Sequence, residues 1–192
     1  GWRYIAFGPD NKLYVTVGAP CNICETKGIE GSIIRMDPDG SNVETFAKGV
    51  RNSVGVDFQP DTNVVYFTDN GGDMMGDDIP HDELNAAVKA GQHFGFPYYA
   101  GGDARSPQLK DKTPPKNVVF PAAEFQAHSA NLGFKFYSGK QFPEEYQGSA
   151  IVAQHGSWNR SKPVGYQLMK VKFDAQHRVT GTEVFIDGWL NN

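Results

Sequence analysis

A short motif recurs along the first part of the chain and constrains its fold more than any other feature. Phe7-Gly8-Pro9-Asp10 precedes the run Leu13–Thr16, and Phe58-Gln59-Pro60-Asp61, which starts 51 residues later, precedes the run Val65–Thr68. Both runs are rich in β-branched and aromatic residues, and both follow a Pro-Asp turn signal. A repeat of about 50 residues is typical of proteins that pack similar small sheets side by side. We therefore expect an all-β chain.

Each repeat is predicted to contain four short strands. In the first repeat the strand-like runs are residues 3–7, 12–17, 31–36 and 43–47, and turn sequences such as Asp37-Pro38-Asp39-Gly40 separate them. A weaker third copy has runs at 132–137, 149–153, 166–173 and 179–186. Four successive antiparallel strands form one blade of a β-propeller.

The predicted fold is therefore a β-propeller of four-stranded antiparallel blades, of which about three are present. One partial propeller domain is expected over residues 1–192, with approximate blades at 1–50, 51–126 and 127–192. Residues 97–126 are rich in Pro, Gly, Lys and Asp and are predicted to form a long excursion on the rim. Because three blades cannot close a ring, we expect either a longer protein or self-association of several copies.

Charge and hydropathy argue against two kinds of partner. The formal net charge is −4, so the basic surface of a nucleic-acid-binding protein is missing. No apolar run approaches the ~20 residues of a membrane-spanning helix. We therefore expect no nucleic acid partner and no membrane span.

An acidic, glycine-rich loop follows the second copy of the motif. It runs from Asp69 to Asn85 and includes the adjacent glycines Gly71 and Gly72. Calcium prefers carboxylate and carbonyl oxygens, so this loop is a candidate calcium site, although its spacing is not that of an EF-hand. The alternative is a solvated acidic turn in which Asp82 caps a short helix over residues 83–90.

Further polar segments combine residue types found in binding sites. Arg51-Asn52 lies at a junction that faces the channel of a propeller, where a guanidinium suits a carboxylate or quinone oxygen. The alternative is a surface ion pair. Residues 154–160 combine a base, a cation and an aromatic ring directly after an apolar strand, and His128-Ser129 is a weaker candidate of the same type. For residues 154–160 the alternative is a buried tryptophan beside a histidine bonded to a carbonyl.

Cys21 and Cys24 are the two cysteines of the chain. A c-type haem site needs a histidine directly after the second cysteine, and Glu25 occupies that position. A zinc site needs two more ligands, and none is evident at a suitable spacing. A short-loop disulfide and a free thiol pair both remain open, and we favour the disulfide for an all-β chain in an oxidising compartment.

Several segments together resemble one family. The chain contains, in order, FGPDNKLYVTVGAPCNICE, RNSVGVDFQP, FTDNGGD followed by DELN, GQHFGFP, HSANLGFKFY and HGSWNRSKPVGY. They resemble the six-bladed propeller dehydrogenases that use pyrroloquinoline quinone (PQQ), the glucose/sorbosone dehydrogenase family, and most closely its sorbosone dehydrogenase-like branch. The resemblance runs through nearly the whole chain and implies three blades of an expected six.

The resemblance assigns expected roles to individual residues. Arg51 and Asn52 match the pair that contacts the quinone, and His155 and Arg160 lie where the family places a cation near the cofactor carboxylates. The remaining matches are the carbonyls of Gly71 and Gly72 for the cofactor's calcium, Glu83 with the Phe94 carbonyl and the help of Asp82 for a structural calcium, and His128 with Ser129 for the substrate mouth.

The resemblance also implies an activity. The expected reaction is hydride transfer from C1 of an aldose, or from the hydrate of a sugar aldehyde, to PQQ, with calcium as the Lewis acid and a further electron acceptor as partner. The family's general-base histidine comes just before the segment that matches Gly1-Trp2-Arg3. No catalytic residue is therefore expected in this chain, and the isolated chain is expected to be nearly inactive.

Two other functions stay open. A calcium-dependent sugar lactonase is also a six-bladed propeller, but it needs several side-chain carboxylates that converge in the channel. A non-catalytic propeller that serves as a binding module would need no cofactor. The resemblance and the cysteine pair together lead us to expect a periplasmic or secreted protein.

Overall fold

Three sheets of antiparallel strands form the framework of the chain. The computed structural model describes residues 2–190, and its strands are labelled in chain order. The first sheet contains β1 (Ile5–Phe7), β2 (Leu13–Val17), β3 (Ser32–Met36) and β4 (Glu44–Lys48). The second sheet contains β5 (Val56–Phe58), β6 (Val65–Asp69), β7 (Asp82–Ala87) and β11 (Ala123–Phe125). The third sheet contains β12 (Asn131–Phe136), β13 (Ala150–Gln154), β14 (Gln167–Phe173) and β15 (Val179–Ile186).

The first strands of the three sheets lie side by side. β5 contacts β1 of one neighbouring sheet and β12 of the other. From each first strand the other strands follow outward in sequence order, as β1-β2-β3-β4, β5-β6-β7-β11 and β12-β13-β14-β15. This radial order is that of propeller blades. The predicted all-β, partial propeller of four-stranded antiparallel blades is therefore confirmed.

The alternative prediction of a short helix over residues 83–90, capped by Asp82, is wrong. Residues 82–87 form β7, which pairs antiparallel with β6 from Asp69 opposite Glu83 to Val65 opposite Ala87. The first four residues of β7 are all buried because the strand has a neighbour on each side and sheets on both faces. A strand buried on both faces shows no alternation of polar and apolar residues, so the pattern did not reveal it.

The predicted rim excursion, residues 97–126, is more ordered than a loop. Within it, β9 (Tyr99–Gly101) and β10 (Ala104–Arg105) form a hairpin, and a 3₁₀ helix follows at Pro107–Leu109. The last residues of this stretch form β11, which completes the second sheet beside β7. The excursion therefore begins as a rim hairpin and ends inside the blade.

A short additional strand extends the first sheet. β8 (Gln92–His93) pairs parallel with β4 and makes this sheet five-stranded. A second 3₁₀ helix lies at Glu144–Tyr146. In the part of the chain that the structure describes, no helix has the length and apolar character needed to cross a membrane.

Two hydrophobic clusters hold neighbouring sheets together. The cluster between the first and second sheets includes Tyr14, Ile33 and Phe67, and the cluster between the second and third sheets includes Tyr66 and Phe134. Successive side chains of a strand point to opposite faces, so β6 sends Phe67 into one cluster and Tyr66 into the other. β6 is buried along its whole length as a result.

The two outer sheets leave apolar side chains in contact with solvent. On β1, Ile5 and Phe7 are each 62% exposed, whereas Ala6 points to the opposite face and packs against the first cluster. On β15, Ile186 is also exposed, and its strand partner Leu168 points to the face opposite Met169, which packs against the second cluster. In a closed propeller, these are the faces against which the neighbouring blades would pack.

The loops of interest lie together at one end of the sheets. Because neighbouring strands are antiparallel, every second connection along the chain falls at the same end. The connections at this end are residues 18–31, 49–55, 70–81, 126–130 and 155–166. They contain the cysteine pair, the arginine-asparagine junction, the glycine pair and both histidine segments.

Candidate functional site

A cavity of about 370 Å³ opens at this loop end, and we call it the main cavity. This is within the usual size range of a small-molecule site. Five of the residues predicted to bind the cofactor, the substrate or a metal line it together, namely Arg51, Asn52, Gly71, Asp82 and His128. The sequence separation between them is large, so only the fold brings them to one place.

Asp69, the last residue of β6, fixes the junction at Arg51 and Asn52. One of its carboxylate oxygens accepts a hydrogen bond from the backbone N–H of Arg51 at 2.8 Å, and the other accepts from that of Asn52 at 2.5 Å. Burial raises the pKa of Asp69 to about 6, against the opposing effect of these two bonds. Sequence analysis did not select Asp69, although it lies in the acidic loop.

The guanidinium of Arg51 ties two loops to each other. It donates one bond from Nε to the carbonyl of Asn22, one from Nη1 to the carbonyl of Asn70, and two from Nη2 to Asn22 Oδ1 and Asp73 Oδ2. These bonds use four of the five N–H groups of an arginine. The side chain of Arg51 is 10% exposed and pairs with Asp73 at 2.8 Å. Arg51 therefore organises the cavity wall as well as lining it.

Asn52 faces the same cavity and has a partner that sequence analysis missed. Its Oδ1 accepts a hydrogen bond from Nη2 of Arg3 at 2.8 Å. Burial lowers the pKa of Arg3, while the charge of Asp69 acts in the opposite direction. A second, partly buried guanidinium therefore lies behind the Asn52 side of the cavity.

The glycine pair presents free oxygen atoms. Gly71 donates its N–H to Asp82 Oδ1 at 2.8 Å, and Gly72 donates its N–H to the carbonyl of Ala100 at 2.6 Å. Within residues 2–190 neither glycine carbonyl accepts a hydrogen bond, and the buried Oδ1 of Asn70 has no partner either. Carbonyl and amide oxygens without partners are suitable calcium ligands, so this loop fits the predicted cation.

Asp82 joins the glycine loop to the third sheet. Its Oδ1 accepts from Gly71, and its Oδ2 accepts from the N–H of Ala130 at 2.7 Å and from the hydroxyl of Ser129 at 3.3 Å. Burial raises the pKa of Asp82. Ser129 is fully buried and also accepts a bond from Gln154. Its hydroxyl supports Asp82 and does not line the main cavity.

His128 does line the main cavity. Its Nε2 donates to the carbonyl oxygen of Gly76 at 2.8 Å, and its backbone has a φ of 65°. This left-handed conformation is uncommon for residues other than glycine. It turns the chain between β11 and β12 so that the imidazole reaches the loop of the second sheet.

Glu83 points away from the main cavity, toward a small enclosed one. This second cavity of about 10 Å³ is lined by Glu83, Asp69 and Phe94, among others. Glu83 accepts bonds from Asn85 Nδ2 and from the N–H of Gly102. Burial, followed by the charge of Asp69, raises the pKa of Glu83 to about 8.

The second cavity has the donor set of a small cation site. The Phe94 carbonyl accepts no hydrogen bond from any residue within 2–190. A cation there would relieve the repulsion between the two buried carboxylates of Asp69 and Glu83. The described residues contain no group of three or more His, Cys, Asp or Glu side chains that could hold a metal. A cation at either the main or the second cavity would therefore be coordinated largely by carbonyl oxygens.

The segment at residues 154–160 is only partly at the main cavity. Trp158 lines it with a side chain that is 74% exposed, and Asn159 lines it and donates to Asp73 Oδ1 at 3.3 Å. Arg160 donates to the carbonyls of Asp77 and Ala127 and so braces the glycine-rich loop from outside. His155 is exposed, lies beside the ring of Tyr166 and is not part of the cavity wall.

The cysteine pair forms a disulfide at the edge of the main cavity. Cys21 and Cys24 are bonded to each other, and Cys21 is one of the lining residues. Asn22, within this four-residue loop, contacts Arg51 and Asp73. No sequence pattern indicated a role for Asn22, because its partners lie in two other loops.

Known proteins with similar structures share this fold. The aldose sugar dehydrogenase of Escherichia coli, in its apo form, has a TM-score of 0.67 at 17% identity, with 92% of this chain and 52% of that chain covered. The PQQ domain of pyranose dehydrogenase from Coprinopsis cinerea, in its holo form, has a TM-score of 0.72 at 19% identity, with 95% and 58% covered. A calcium structure of a family AA12 carbohydrate-active enzyme from Trichoderma reesei has a TM-score of 0.73 at 22% identity, with 93% and 55% covered.

Sequence comparison gives the family. A curated protein of Borreliella burgdorferi, described as uncharacterized, is 40% identical over 193 residues, which cover 99% of this chain and 51% of that protein. The chain thus spans about half the length of the curated relative it matches. The family model described as Glucose / Sorbosone dehydrogenase matches residues 1–189. The predicted resemblance is confirmed, and the chain belongs to the glucose/sorbosone dehydrogenase family.

Proposed function

We propose that the intact protein oxidises an aldose or a sugar aldehyde by hydride transfer to PQQ, which calcium holds in the main cavity. We base this proposal mainly on one observation. The uncommitted carbonyls of Gly71 and its neighbour Gly72 and the unpartnered Oδ1 of Asn70 lie in one loop, and Asn70 and Gly71 line the main cavity together with a buried arginine, Arg51. Oxygen ligands for a cation beside a guanidinium suit an anionic, metal-bound cofactor.

The residues of this chain would bind and orient. Gly71, Gly72 and Asn70 would hold the calcium, and Arg51 and Asn52 would face the cofactor from the adjoining wall. When bound, calcium and the quinone supply a Lewis acid and a hydride acceptor. Asp69 and Asp82 keep the two loops in place through the backbone bonds described above.

The sugar would enter from the open side of the cavity. Trp158 offers an exposed aromatic face there, and we propose that the buried imidazole of His128, which lines the cavity, shapes the substrate side of it. The substrate loses a hydride from C1 and a proton from its hydroxyl group. We propose, as the resemblance implies, that a histidine from another part of the protein takes this proton and that a separate electron acceptor is a partner of the intact protein.

The second cavity is proposed as a structural calcium site. The Glu83 carboxylate and the Phe94 carbonyl would be its ligands, and Asp69 lies near enough to add favourable charge. The disulfide suits an oxidising compartment, so we propose a periplasmic or secreted location.

Two measurements on the intact protein separate this function from its alternatives. We expect calcium-dependent uptake of PQQ, followed by aldose-dependent reduction of a dye. Hydrolysis of sugar lactones without quinone uptake would establish the lactonase instead. Tight binding of a protein partner with neither activity would establish the binding module. The lactonase has less support because the described residues lack a convergent group of carboxylates.

A further inference from the structure

The disulfide loop makes a reciprocal set of bonds with the loop proposed to bind calcium. Asn22 Oδ1 accepts from the N–H of Asp73 at 2.8 Å, and Asn22 Nδ2 donates to the carbonyl of Asp73 at 3.0 Å. Asn22 Oδ1 also accepts from Arg51 Nη2 at 2.8 Å. One amide side chain therefore joins the backbone of the glycine loop to the guanidinium that spans both loops.

A second contact involves the glycine pair itself. A Cβ atom added to Gly72 would lie 3.4 Å from Cδ1 of Ile23 and 3.1 Å from Cβ of Ala100. The glycine is thus enclosed between the disulfide loop and β9. Since Cys21 and Cys24 bracket both Asn22 and Ile23, the disulfide limits the conformations of the two residues that touch the calcium loop.

We propose that Asn22 is a positioning residue for calcium, and that the Cys21–Cys24 disulfide holds it in place. The oxidised loop fixes Asp73 and Arg51 and so keeps the carbonyls of Gly71 and Gly72 directed at the cation. Nothing else within the described residues bonds to both the N–H and the carbonyl of Asp73. The inference rests on the proposed function only in the identity of the bound cation.

Redox sensitivity of the site follows from this arrangement. A dithiol reductant would transfer two electrons and two protons to the disulfide, leaving two thiols and a cyclic disulfide of the reductant. Freed from the closed loop, Asn22 would lose part of its hold on Asp73. Calcium affinity would then fall, although the disulfide is not itself a ligand.

Hydrogen exchange tests the positioning without any ligand. In the calcium-free intact protein we expect Asn22→Ala to speed exchange at the amide of Asp73 about tenfold, the equivalent of one ordinary hydrogen bond. Asn22→Asp keeps an acceptor at this position and should retain the slow exchange. Gln147→Ala is the matched control, since it removes one hydrogen bond to Gly139 at the opposite end of the sheets. It should leave the exchange rate of the Asp73 amide unchanged. Equal exchange in the native and Asn22→Ala proteins would overturn the proposal.

Calcium titration tests the consequence for the site. The dissociation constant should rise about tenfold in Asn22→Ala and in the double variant Cys21→Ser/Cys24→Ser, and also in native protein treated with a dithiol. The melting temperature of the calcium-free Asn22→Ala protein should stay near that of the native protein, because Asn22 is exposed. Unchanged affinity in Asn22→Ala would overturn the positioning role, and a lowered calcium-free melting temperature with unchanged affinity would show a merely structural role.

The two proposals fail in different ways. If the native protein bound no calcium, the proposed function would fail together with the cation role of Asn22. The exchange measurement would still decide whether Asn22 fixes the loop of residues 70–81. Faster exchange in Asn22→Ala would support this positioning role, and unchanged exchange would rule it out.

Discussion

Glycine is required at position 71 because there is no room for a side chain there. A Cβ atom at this position would lie 2.8 Å from Cγ of Pro80 and 2.9 Å from the carbonyl oxygen of His81. A backbone neighbour cannot move aside as the end of a flexible side chain can. The start of the loop therefore packs closely against its end, just before β7, only because residue 71 has no side chain.

Gly71→Ala is expected to displace the loop of residues 70–81, which we propose binds calcium. The clash should destabilise the fold by about 1–3 kcal/mol and weaken calcium binding by at least about tenfold. Gly181→Ala is the matched control, since its Cβ would meet only the end of Lys172 at 3.8 Å. Thermal melting and calcium titration of both variants test this expectation. Native-like calcium binding in Gly71→Ala would contradict the assignment of the loop.

Asp69 is the residue on which the Arg51-Asn52 junction depends. The two oxygens of Asp69 now each accept one backbone N–H, from Arg51 and from Asn52. In Asp69→Asn, the amide NH₂ replaces one of these oxygens and faces an N–H donor. We expect a loss of about 2–4 kcal/mol in the free energy of unfolding, because a buried donor is left without an acceptor. Asp111→Asn, at an exposed position, should change it by less than about 0.5 kcal/mol. Equal denaturation midpoints for both variants would show that the junction holds without Asp69.

The strand β6 makes the packing contacts that place the loop of residues 70–81. Phe67 is fully buried, and its ring meets that of Phe94 edge to face at a centroid distance of 5.0 Å. The same strand ends at Asp69, directly before the loop of residues 70–81. Packing defects in β6 should therefore reach both proposed cation sites.

Phe67→Ala should cost about 3–5 kcal/mol of stability, since it leaves a cavity between two sheets. It should also weaken calcium binding at the second cavity, because Phe94 supplies one of the proposed ligands there. Phe120→Ala, at a position 49% exposed, is the control and should cost about 1 kcal/mol. Chemical denaturation with and without calcium separates the two effects. A cost in Phe67→Ala no greater than in the control would contradict the packing account.

The sequence predicted the strands and their grouping into sheets better than the contacts between the loops. The repeat at Phe7 and Phe58 and the Pro-Asp turns are local signals, so they revealed the strands and their grouping into sheets. The strand β7 escaped notice because burial on both faces removes the alternation on which strand recognition depends. The bonds of Arg51 to Asn22 and Asp73 escaped notice because they join three loops that only the fold brings together.

Ser129 and His155 illustrate the same limit. The polar segments that contain them lie at the correct end of the sheets, and a residue pattern can indicate that much. Whether a side chain faces a cavity depends on the local turn of the backbone. Ser129 turns inward to Asp82, His155 turns outward to solvent, and Trp158 turns toward the cavity.

For the whole molecule, the exposed apolar faces of the first and third sheets are the main feature. Ile5 and Phe7 on β1 and Ile186 on β15 lie at the two ends of the row of blades. The chain also spans about half the length of its relatives. We expect further blades, from the same protein or from another copy, to cover both faces.

Phe7→Ala distinguishes a covered face from a free one. In the intact protein it should lower stability by about 3–5 kcal/mol, as for a buried aromatic residue. In an isolated chain of residues 1–192 it should change stability by no more than about 0.5 kcal/mol, because Phe7 is exposed there. Small effects in both forms would mean that no blade packs against β1.

A crystal structure of the intact protein with calcium and PQQ would show whether the main cavity holds the metal and the quinone. We predict a calcium ion about 2.3–2.6 Å from the carbonyl oxygens of Gly71 and Gly72, with the quinone in the main cavity beside Arg51. A calcium ion held instead by a group of side-chain carboxylates, or a quinone bound away from Arg51, would contradict it.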